Sequence, residues 1–314
     1  MKLFRYLSLT FIAIGLCSIG IFWENDIPLA TLKAKYSNKE SGFIDLSDMQ
    51  VHYRDEGNSN DSIPLVLLHG TGASLHTWEG WVKELQKSHR VITLDLPAYG
   101  LTGPNPTGDY SISFYTDFIR DFLSKIGVKQ CILGGNSLGG YIAWNVALKH
   151  PKLVQKMILV DAAGYPMQPK STPIAFQLAS FPVIKNLFKY VTPKAILAKS
   201  IQNVYGDPSK VTPELIDRYF ELSLRPGNRA AFIDRMSTFK KSGLDDNYKN
   251  IATITIPTLI IWGNKDLLIP ISVAKRFHQD LLNNKLLTFE SLGHTPMEED
   301  PIKTVKPVLD FIKQ

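Results

Sequence analysis

The chain has 314 residues, of which 44% are hydrophobic and 20% charged, and its formal net charge is +6. This length and composition are those of a globular protein that buries a large core, as one α/β domain with an insertion or as two smaller domains. The lysines are scattered along the chain instead of clustered. The positive charge therefore does not indicate nucleic-acid binding, and we expect no nucleic-acid partner.

The first residues differ from this globular composition. Residues 6–23 contain no charged side chain, and as a helix they would be about 27 Å long, close to the hydrocarbon thickness of a bilayer. Basic residues precede the stretch and acidic residues follow it, which predicts a cytoplasmic N-terminus. Because the stretch ends in bulky residues, we expect residues 1–24 to form an uncleaved single-pass membrane anchor, with the folded domain on the non-cytoplasmic side. The alternative is a cleaved signal segment and a secreted or periplasmic protein.

Strand and helix patterns alternate along the remaining chain. Residues 25–41 are polar and predict a linker, and Ser47–Asp48 predict the turn of a β-hairpin. Continuous apolar runs after the hairpin are typical of strands buried on both faces of a parallel sheet. These runs are Leu65–Leu68, Val91–Leu94, Gln130–Leu133, Met157–Val160, Thr258–Trp262 and Lys285–Phe289. The pattern predicts an α/β fold with a mostly parallel eight-stranded sheet that is covered by helices on both faces.

Residues 164–250 interrupt this alternation. They are rich in proline and aromatic residues and contain only helical patterns, such as the one that Thr212 caps and Pro213 begins. We expect them to form an inserted helical cap over the carboxyl edge of the sheet, whose core comprises residues 42–163 and 251–314. Some aromatic residues of the segment are candidates for the wall of an apolar pocket or for the contact between cap and core. They are Phe176, Phe181, Tyr219 and Phe232.

The most informative motif is Gly134–Gly140, which lies between a predicted strand and a predicted helix. A sharp turn from strand to helix leaves no room for side chains beside it, and Gly135 and Gly139 provide that room. Ser137 would then stand at the tip of the turn with the helix N-terminus beneath it. This arrangement is a nucleophile elbow.

A serine hydroxyl needs a base to take its proton, and the base works best when a carboxylate orients it. Asp266 and His294 lie in loops that follow or adjoin predicted buried strands. The order Ser137, Asp266, His294 therefore predicts a catalytic triad at the carboxyl edge of one sheet. Asp161 ends another strand and is the alternative acid, although such a residue also serves as a loop-capping carboxylate.

Taken together, these motifs resemble the α/β-hydrolase fold family over residues 42–314. The matching motifs are His69–Gly70, Asp95–Pro97 with Gly100, the serine elbow, Trp262–Asp266 and Gly293–His294. An ester carbonyl under attack needs two backbone N–H groups as an oxyanion hole, and Leu138 at the helix start predicts one of them. The resemblance implies that Thr71 supplies the other. His69 and Asp95 are expected to organise loops.

We therefore expect a serine hydrolase of esterase or lipase type, which cleaves carboxylic esters with apolar acyl groups through an acyl-enzyme. The alternatives are a carbon–carbon bond hydrolase or a cofactor-free perhydrolase with the same triad, or a non-catalytic binding protein. Relatives that dehalogenate haloalkanes or open epoxides carry aspartate at the nucleophile position, so Ser137 argues against both reactions. Metal-ligand spacings and phosphate-binding loops are absent from the sequence, and we expect neither a metal nor a cofactor.

Overall fold

The computed structural model of this protein describes residues 22–179, 189–242 and 246–314. A single sheet of eight strands organises these residues, in the spatial order β1-β2-β4-β3-β5-β6-β7-β8. The strands are β1 Ser41–Leu46, β2 Met49–Gly57, β3 Leu65–Leu68, β4 Arg90–Leu94, β5 Cys131–Asn136, β6 Val154–Val160, β7 Thr258–Gly263 and β8 Asn284–Phe289. Each predicted strand is present, with bounds that differ by a few residues.

The sheet is antiparallel at one edge and parallel elsewhere. Strand β2 pairs antiparallel with both β1 and β4, whereas the pairs from β4 through β8 are all parallel. Ser47 and Asp48 form the hairpin turn, and both have positive φ angles, 52° and 59°. Such angles suit the tight turn of a twisted hairpin. The carboxyl ends of the parallel strands lie at one edge, as the predicted site requires.

Helices cover both faces of the sheet. They are α1 Leu29–Tyr36, α2 Glu79–Leu85, α3 Ile112–Lys125, α4 Leu138–Lys149, α5 Ile174–Ala179, α6 Lys194–Val204, α7 Pro213–Ser223, α8 Asn228–Ser242, α9 Ile271–Asp280, α10 Pro296–Glu299 and α11 Pro301–Ile312. One core cluster joins α3, α4 and α9 to one face of the sheet. A second cluster joins α2 and α11 to the other face. The predicted fold class is confirmed.

Helices α5 to α8 lie between β6 and β7, where the alternation stops in the sequence. Thr212 accepts a hydrogen bond from Leu215 N, and Pro213 is the first residue of α7. These residues start the helix because the threonine oxygen satisfies a free N–H while proline has none to satisfy. Phe181, one of the four aromatic candidates for a pocket wall, lies outside the described residues.

The predicted membrane location requires a correction. Nowhere in the described parts of the chain is there a helix with both the length and the apolar character needed to cross a bilayer. Residues 6–21 of the predicted span lie outside those parts. Its last residue, Trp23, is not helical, since it forms an isolated antiparallel bridge with Val191 and stacks on Tyr190 at a centroid distance of 5.1 Å.

The predicted linker also differs from the structure. Residues 25–41 contain helix α1, and β1 begins at Ser41. Leu32 and Tyr36 of α1 are buried in a small apolar cluster with Leu101 and Leu222. The segment has a weak helical pattern because two turns bury few residues, and its structure depends on these contacts with distant parts of the chain.

Candidate active site

Ser137 lies between β5 and α4 in a strained backbone conformation, with φ 53° and ψ −111°. A non-glycine residue with this combination of angles is rare and needs support from its surroundings. The backbone supplies that support: Ser137 N donates to Val160 O at 3.1 Å, and Ser137 O accepts from Tyr141 N and Ala163 N. The turn is therefore held at both ends and presents the serine at the head of the helix.

The two elbow glycines are required by close backbone contacts. A Cβ atom on Gly135 would lie 2.2 Å from Gly139 C, and one on Gly139 would lie 2.1 Å from Leu68 O. Gly70 has a similar role on the opposite side, because a Cβ atom there would lie 3.2 Å from Ser137 Cβ. The glycines thus allow β3, β5 and α4 to meet around the serine.

His294 and Asp266 form a buried pair. His294 Nδ1 lies 2.7 Å from Asp266 Oδ2, and the two residues are 4% and 3% exposed. Asp266 Oδ1 accepts hydrogen bonds from Leu268 N and Ile269 N, which fix the carboxylate in the loop after β7. With Nδ1 engaged by the carboxylate, Nε2 is the ring nitrogen that remains for a reacting group.

Asp161 lies beside this pair. Asp161, Asp266 and His294 each offer an oxygen or nitrogen atom, and these atoms lie within 4.8 Å of one another. Asp161 Oδ1 accepts a hydrogen bond from Gly263 N at 3.0 Å. Burial, together with the charge of Asp266, raises the pKa of Asp161 well above its ordinary value. A raised pKa favours the protonated form, which is a poorer metal ligand and a poorer partner for an imidazolium than a carboxylate is.

The loop after β3 lies next to the elbow. Ala73 N donates to Gly70 O at 3.2 Å and closes a turn, in which Thr71 is the second residue and Gly72 has φ 76°. Leu138 is the first residue of α4, so its N–H has no acceptor one turn earlier in the helix. Thr71 and Ser137 line the same cavity. Thr71 and Leu138, the two predicted oxyanion residues, therefore both lie close to Ser137.

His69 and Asp95 hold the loops around the site, as the sequence predicts. His69 Nε2 accepts from Leu96 N at 3.0 Å, and Asp95 accepts hydrogen bonds from Leu75 N and Leu101 N. Burial by itself would raise the pKa of Asp95, but the nearby histidines hold it below its ordinary value. His52 is one of these histidines, with its Nδ1 atom 2.7 Å from Asp95 Oδ2.

A cavity of about 140 Å³ opens between the sheet edge and helices α5 to α8. Ser137 and His294 line it on the sheet side, and its other walls are mostly apolar. Phe176, Tyr219 and Phe232 line it from the inserted helices, as one of the two interpretations of these aromatic residues predicts. Trp78 and Trp144 are fully buried in the two core clusters instead.

Some residues that shape the site were not singled out from the sequence. Asn136 Nδ2 donates to Val160 O and His294 O, which ties the elbow strand to the histidine loop. Val204 O, at the end of α6, accepts a hydrogen bond from His294 N at 2.7 Å. Asn136 directly precedes Ser137, so the elbow motif could have indicated that it lies at the site. No motif in the sequence indicates a role for Val204.

Glu299 is a further residue of this kind. Its carboxylate accepts hydrogen bonds from Gly206 N, Asp207 N and Gly293 N at 2.8–3.0 Å. It therefore joins the loop after α6 to the residue that precedes His294. A buried carboxylate that accepts several backbone N–H bonds is stable only where the chain brings those donors together.

The comparison with known proteins agrees with this fold. A family model described as the alpha/beta hydrolase fold matches residues 63–301. The uncharacterized hydrolase YugF of Bacillus subtilis is 29% identical over 263 residues, which are 83% of this chain and 93% of that protein. A 2-hydroxy-6-oxononadienedioate/2-hydroxy-6-oxononatrienedioate hydrolase from a Pseudomonas species is 27% identical over 282 residues, with 87% and 96% coverage.

A solved structure shows the same likeness. The meta-cleavage product hydrolase CumD from Pseudomonas fluorescens aligns with a TM-score of 0.76 at 25% identity, and the alignment covers 88% of this chain and 99% of CumD. The family match extends over residues 63–301, which is more than half of the chain. The chain belongs to the α/β-hydrolase fold family.

Proposed function

We propose that this protein is a serine hydrolase that cleaves carboxylic esters, with Ser137 as nucleophile, His294 as base and Asp266 as the carboxylate that orients the base. The observation that carries the proposal is the buried His294–Asp266 pair, whose histidine lines the same cavity as Ser137 in its strained elbow. Membership of the α/β-hydrolase fold family supports a hydrolase, and cleavage of an ester bond is part of this proposal.

The steps follow from these positions. Ser137 Oγ attacks the acyl carbon as His294 Nε2 takes its proton, and Asp266 stabilises the resulting imidazolium. The backbone N–H groups of Leu138 and Thr71 hold the oxyanion of the tetrahedral intermediate. Collapse of this intermediate breaks the ester bond, and the leaving alkoxide takes the proton from His294. Water then repeats the sequence on the acyl-enzyme and releases the acid.

Carbon–carbon bond hydrolysis is the second candidate. The specific observation in its favour is the 27% identical relative, whose name describes the hydrolysis of a hydroxy-oxo dienedioate. That reaction also needs an activated carbonyl carbon and an oxyanion hole, so the same residues would serve it. Parallel assays with a p-nitrophenyl ester and with a vinylogous 1,5-diketone separate the candidates by their kcat/KM values.

We expect Ser137→Ala to abolish labelling by a fluorophosphonate probe and to lower kcat by about 10³-fold or more, because the substitution removes the attacking oxygen. The measurement is in-gel fluorescence of the purified protein, together with turnover of the better substrate. Ser223→Ala is the matched control, since Ser223 lines the same cavity but donates its hydroxyl to Phe220 O. Equal labelling of wild type and Ser137→Ala would contradict the proposal.

A further inference from the structure

The cavity beside Ser137 contains one permanent charge. Among the described residues that line it, Arg229 is the sole arginine, and lysine, aspartate and glutamate are absent. Its side chain is 9% exposed, and Nη2 donates to Asp26 Oδ1 at 2.7 Å. Asp26 is 44% exposed, so water screens this ion pair and weakens its hold on the guanidinium.

The hydrogen bonds of Arg229 are incomplete. Its Nη1 atom is buried and has no partner in the described parts of the chain. A buried donor without a partner destabilises a protein by about 1–3 kcal/mol, and by more when the group is charged. Because Arg229 lines the cavity, an anionic ligand there would offer its guanidinium a further acceptor.

The neighbouring Asn228 adds a second incomplete group. Both N–H bonds of its Nδ2 atom are used, by Gly100 O at 3.0 Å and by Leu222 O at 2.8 Å. Its Oδ1 atom is buried without a partner in the part of the chain that the structure describes. Asn228 also lines the cavity. The first turn of α8 therefore contains two neighbouring residues of the cavity wall whose hydrogen bonds are incomplete.

The remaining walls define the kind of molecule that reaches this point. Phe232 lies one helical turn after Arg229, and Phe176 packs against Phe232 with ring centroids 5.7 Å apart. Leu197 and Ile201 of α6 complete an apolar wall. A ligand that fills the cavity thus combines an apolar chain with an anionic group, because an anion is the partner that a guanidinium binds most strongly.

We propose that Arg229 is an anion-binding subsite, and that the substrates of this hydrolase carry a carboxylate or phosphate group at a distance from the bond that is cleaved. The inference deepens the proposed function and rests on Ser137 as the nucleophile. Asp26 competes with the ligand for the guanidinium and holds Arg229 in place when the cavity is free.

The test measures protection of Ser137 from a neutral fluorophosphonate probe, so it does not depend on which substrate is turned over. The competitors are hexanoate, its isosteric amide hexanamide, and hexyl phosphate. We expect one or both anions to protect at least about tenfold better than the amide. The stronger of the two identifies the carboxylate or the phosphate as the natural group. Equal protection by hexanamide and both anions would overturn the subsite, whereas failure of the probe to label wild type would contradict the proposed function instead.

Variants assign the effect to Arg229. In Arg229→Gln the preference for the anions should fall below about threefold. Arg229→Lys keeps the positive charge and should retain most of the preference, and it serves as the second variant if Arg229→Gln folds poorly. Asp26→Asn removes the competing carboxylate and should strengthen protection by the anions. Arg120→Gln, on the outer surface of α3, is the matched control and should behave as wild type. Equal losses of protection by the anions in Asp26→Asn and Arg229→Gln would show that the ion pair has a structural role, and would overturn the proposal.

Discussion

At the scale of single residues, the site contains two neighbouring carboxyl groups with different environments. Asp266 accepts two backbone N–H bonds and contacts His294. Asp161 accepts one, from Gly263 N, and its carboxyl group lies beside that of Asp266. Burial and the charge of Asp266 raise the pKa of Asp161. Burial beside a second carboxyl group therefore favours the protonated form of Asp161.

The raised pKa of Asp161 predicts how the free energy of unfolding changes with pH. In the unfolded chain an aspartate loses its proton near pH 3.9, while folded Asp161 keeps it to a higher pH. Because the unfolded state then releases a proton that the folded state retains, wild-type stability falls as pH rises, by about 1.4 kcal/mol per pH unit until the folded pKa is passed. Asp161→Asn removes the titration, and we expect it to exceed wild type by about 1–3 kcal/mol at pH 8, with no advantage below pH 4.

Urea denaturation between pH 4 and pH 8 measures this difference. Asp310→Asn, an exposed change on α11, is the matched control and should follow the wild-type curve. Parallel curves for wild type and Asp161→Asn would show that Asp161 does not hold a proton in the folded state.

At the scale of elements, the contact between the loop after α6 and the short helix α10 decides how His294 is held. Val204 O accepts from His294 N, and Glu299 accepts from Gly293 N and from the loop after α6. Val204 O thus connects α6 directly to the backbone of His294, and the Glu299 carboxylate connects the loop after α6 to the backbone of Gly293. Movement of α6 would move His294 relative to Ser137.

We expect Glu299→Gln to lower the free energy of unfolding by about 1.5–3 kcal/mol and kcat/KM by about tenfold. A glutamine has one acceptor oxygen and would turn N–H groups toward backbone donors, so it cannot replace a carboxylate that accepts three bonds. The measurements are urea denaturation and steady-state kinetics on the better substrate.

Glu214→Gln, exposed in the first turn of α7, is the control for the loss of one negative charge. A Glu299→Gln protein that loses stability but keeps its kcat/KM would show that this contact supports the fold without positioning His294.

At the scale of the whole molecule, residues 24–36, which we name the N-terminal strap, connect the inserted helices to the sheet. On one side Ile27 N donates to Leu224 O, and Tyr36 OH donates to Glu221 of α7 at 2.9 Å. On the other side Tyr36 O accepts from Arg54 Nη2 at 3.1 Å. The strap therefore couples two parts of the molecule that the sequence separates by a long distance.

Tyr36→Ala should lower the free energy of unfolding by about 2–4 kcal/mol, because it removes a buried aromatic ring and a hydrogen bond to a carboxylate. Urea denaturation checks this value. Leu282→Ala, at a position that is 76% exposed, is the control and should stay within about 0.5 kcal/mol of wild type. A similar small change in Tyr36→Ala would mean that the strap contributes little to the fold.

Much of the fold could be predicted because its signals are local. The apolar runs of β3 to β8, the turn at Ser47–Asp48 and the start of α7 at Thr212 each depend on residues within a few positions of one another. Helix α1 and the bridge of Trp23 to Val191 could not, since they form through contacts with residues far along the chain. The predicted span over residues 6–23 relied on apolar composition, which does not distinguish a membrane span from other apolar segments.

The sequence by itself determined the fold class and the candidate residues at the carboxyl edge of the sheet. The apolar strand runs, the glycine spacing and the positions of Ser137, Asp266 and His294 in their loops are all properties of short segments. Only the tertiary structure decided that His294 contacts Asp266 with Asp161 behind it, and that Arg229 is the charge in the cavity wall. Hydrogen bonding and burial set these outcomes, and both depend on which distant residues the packed chain brings together.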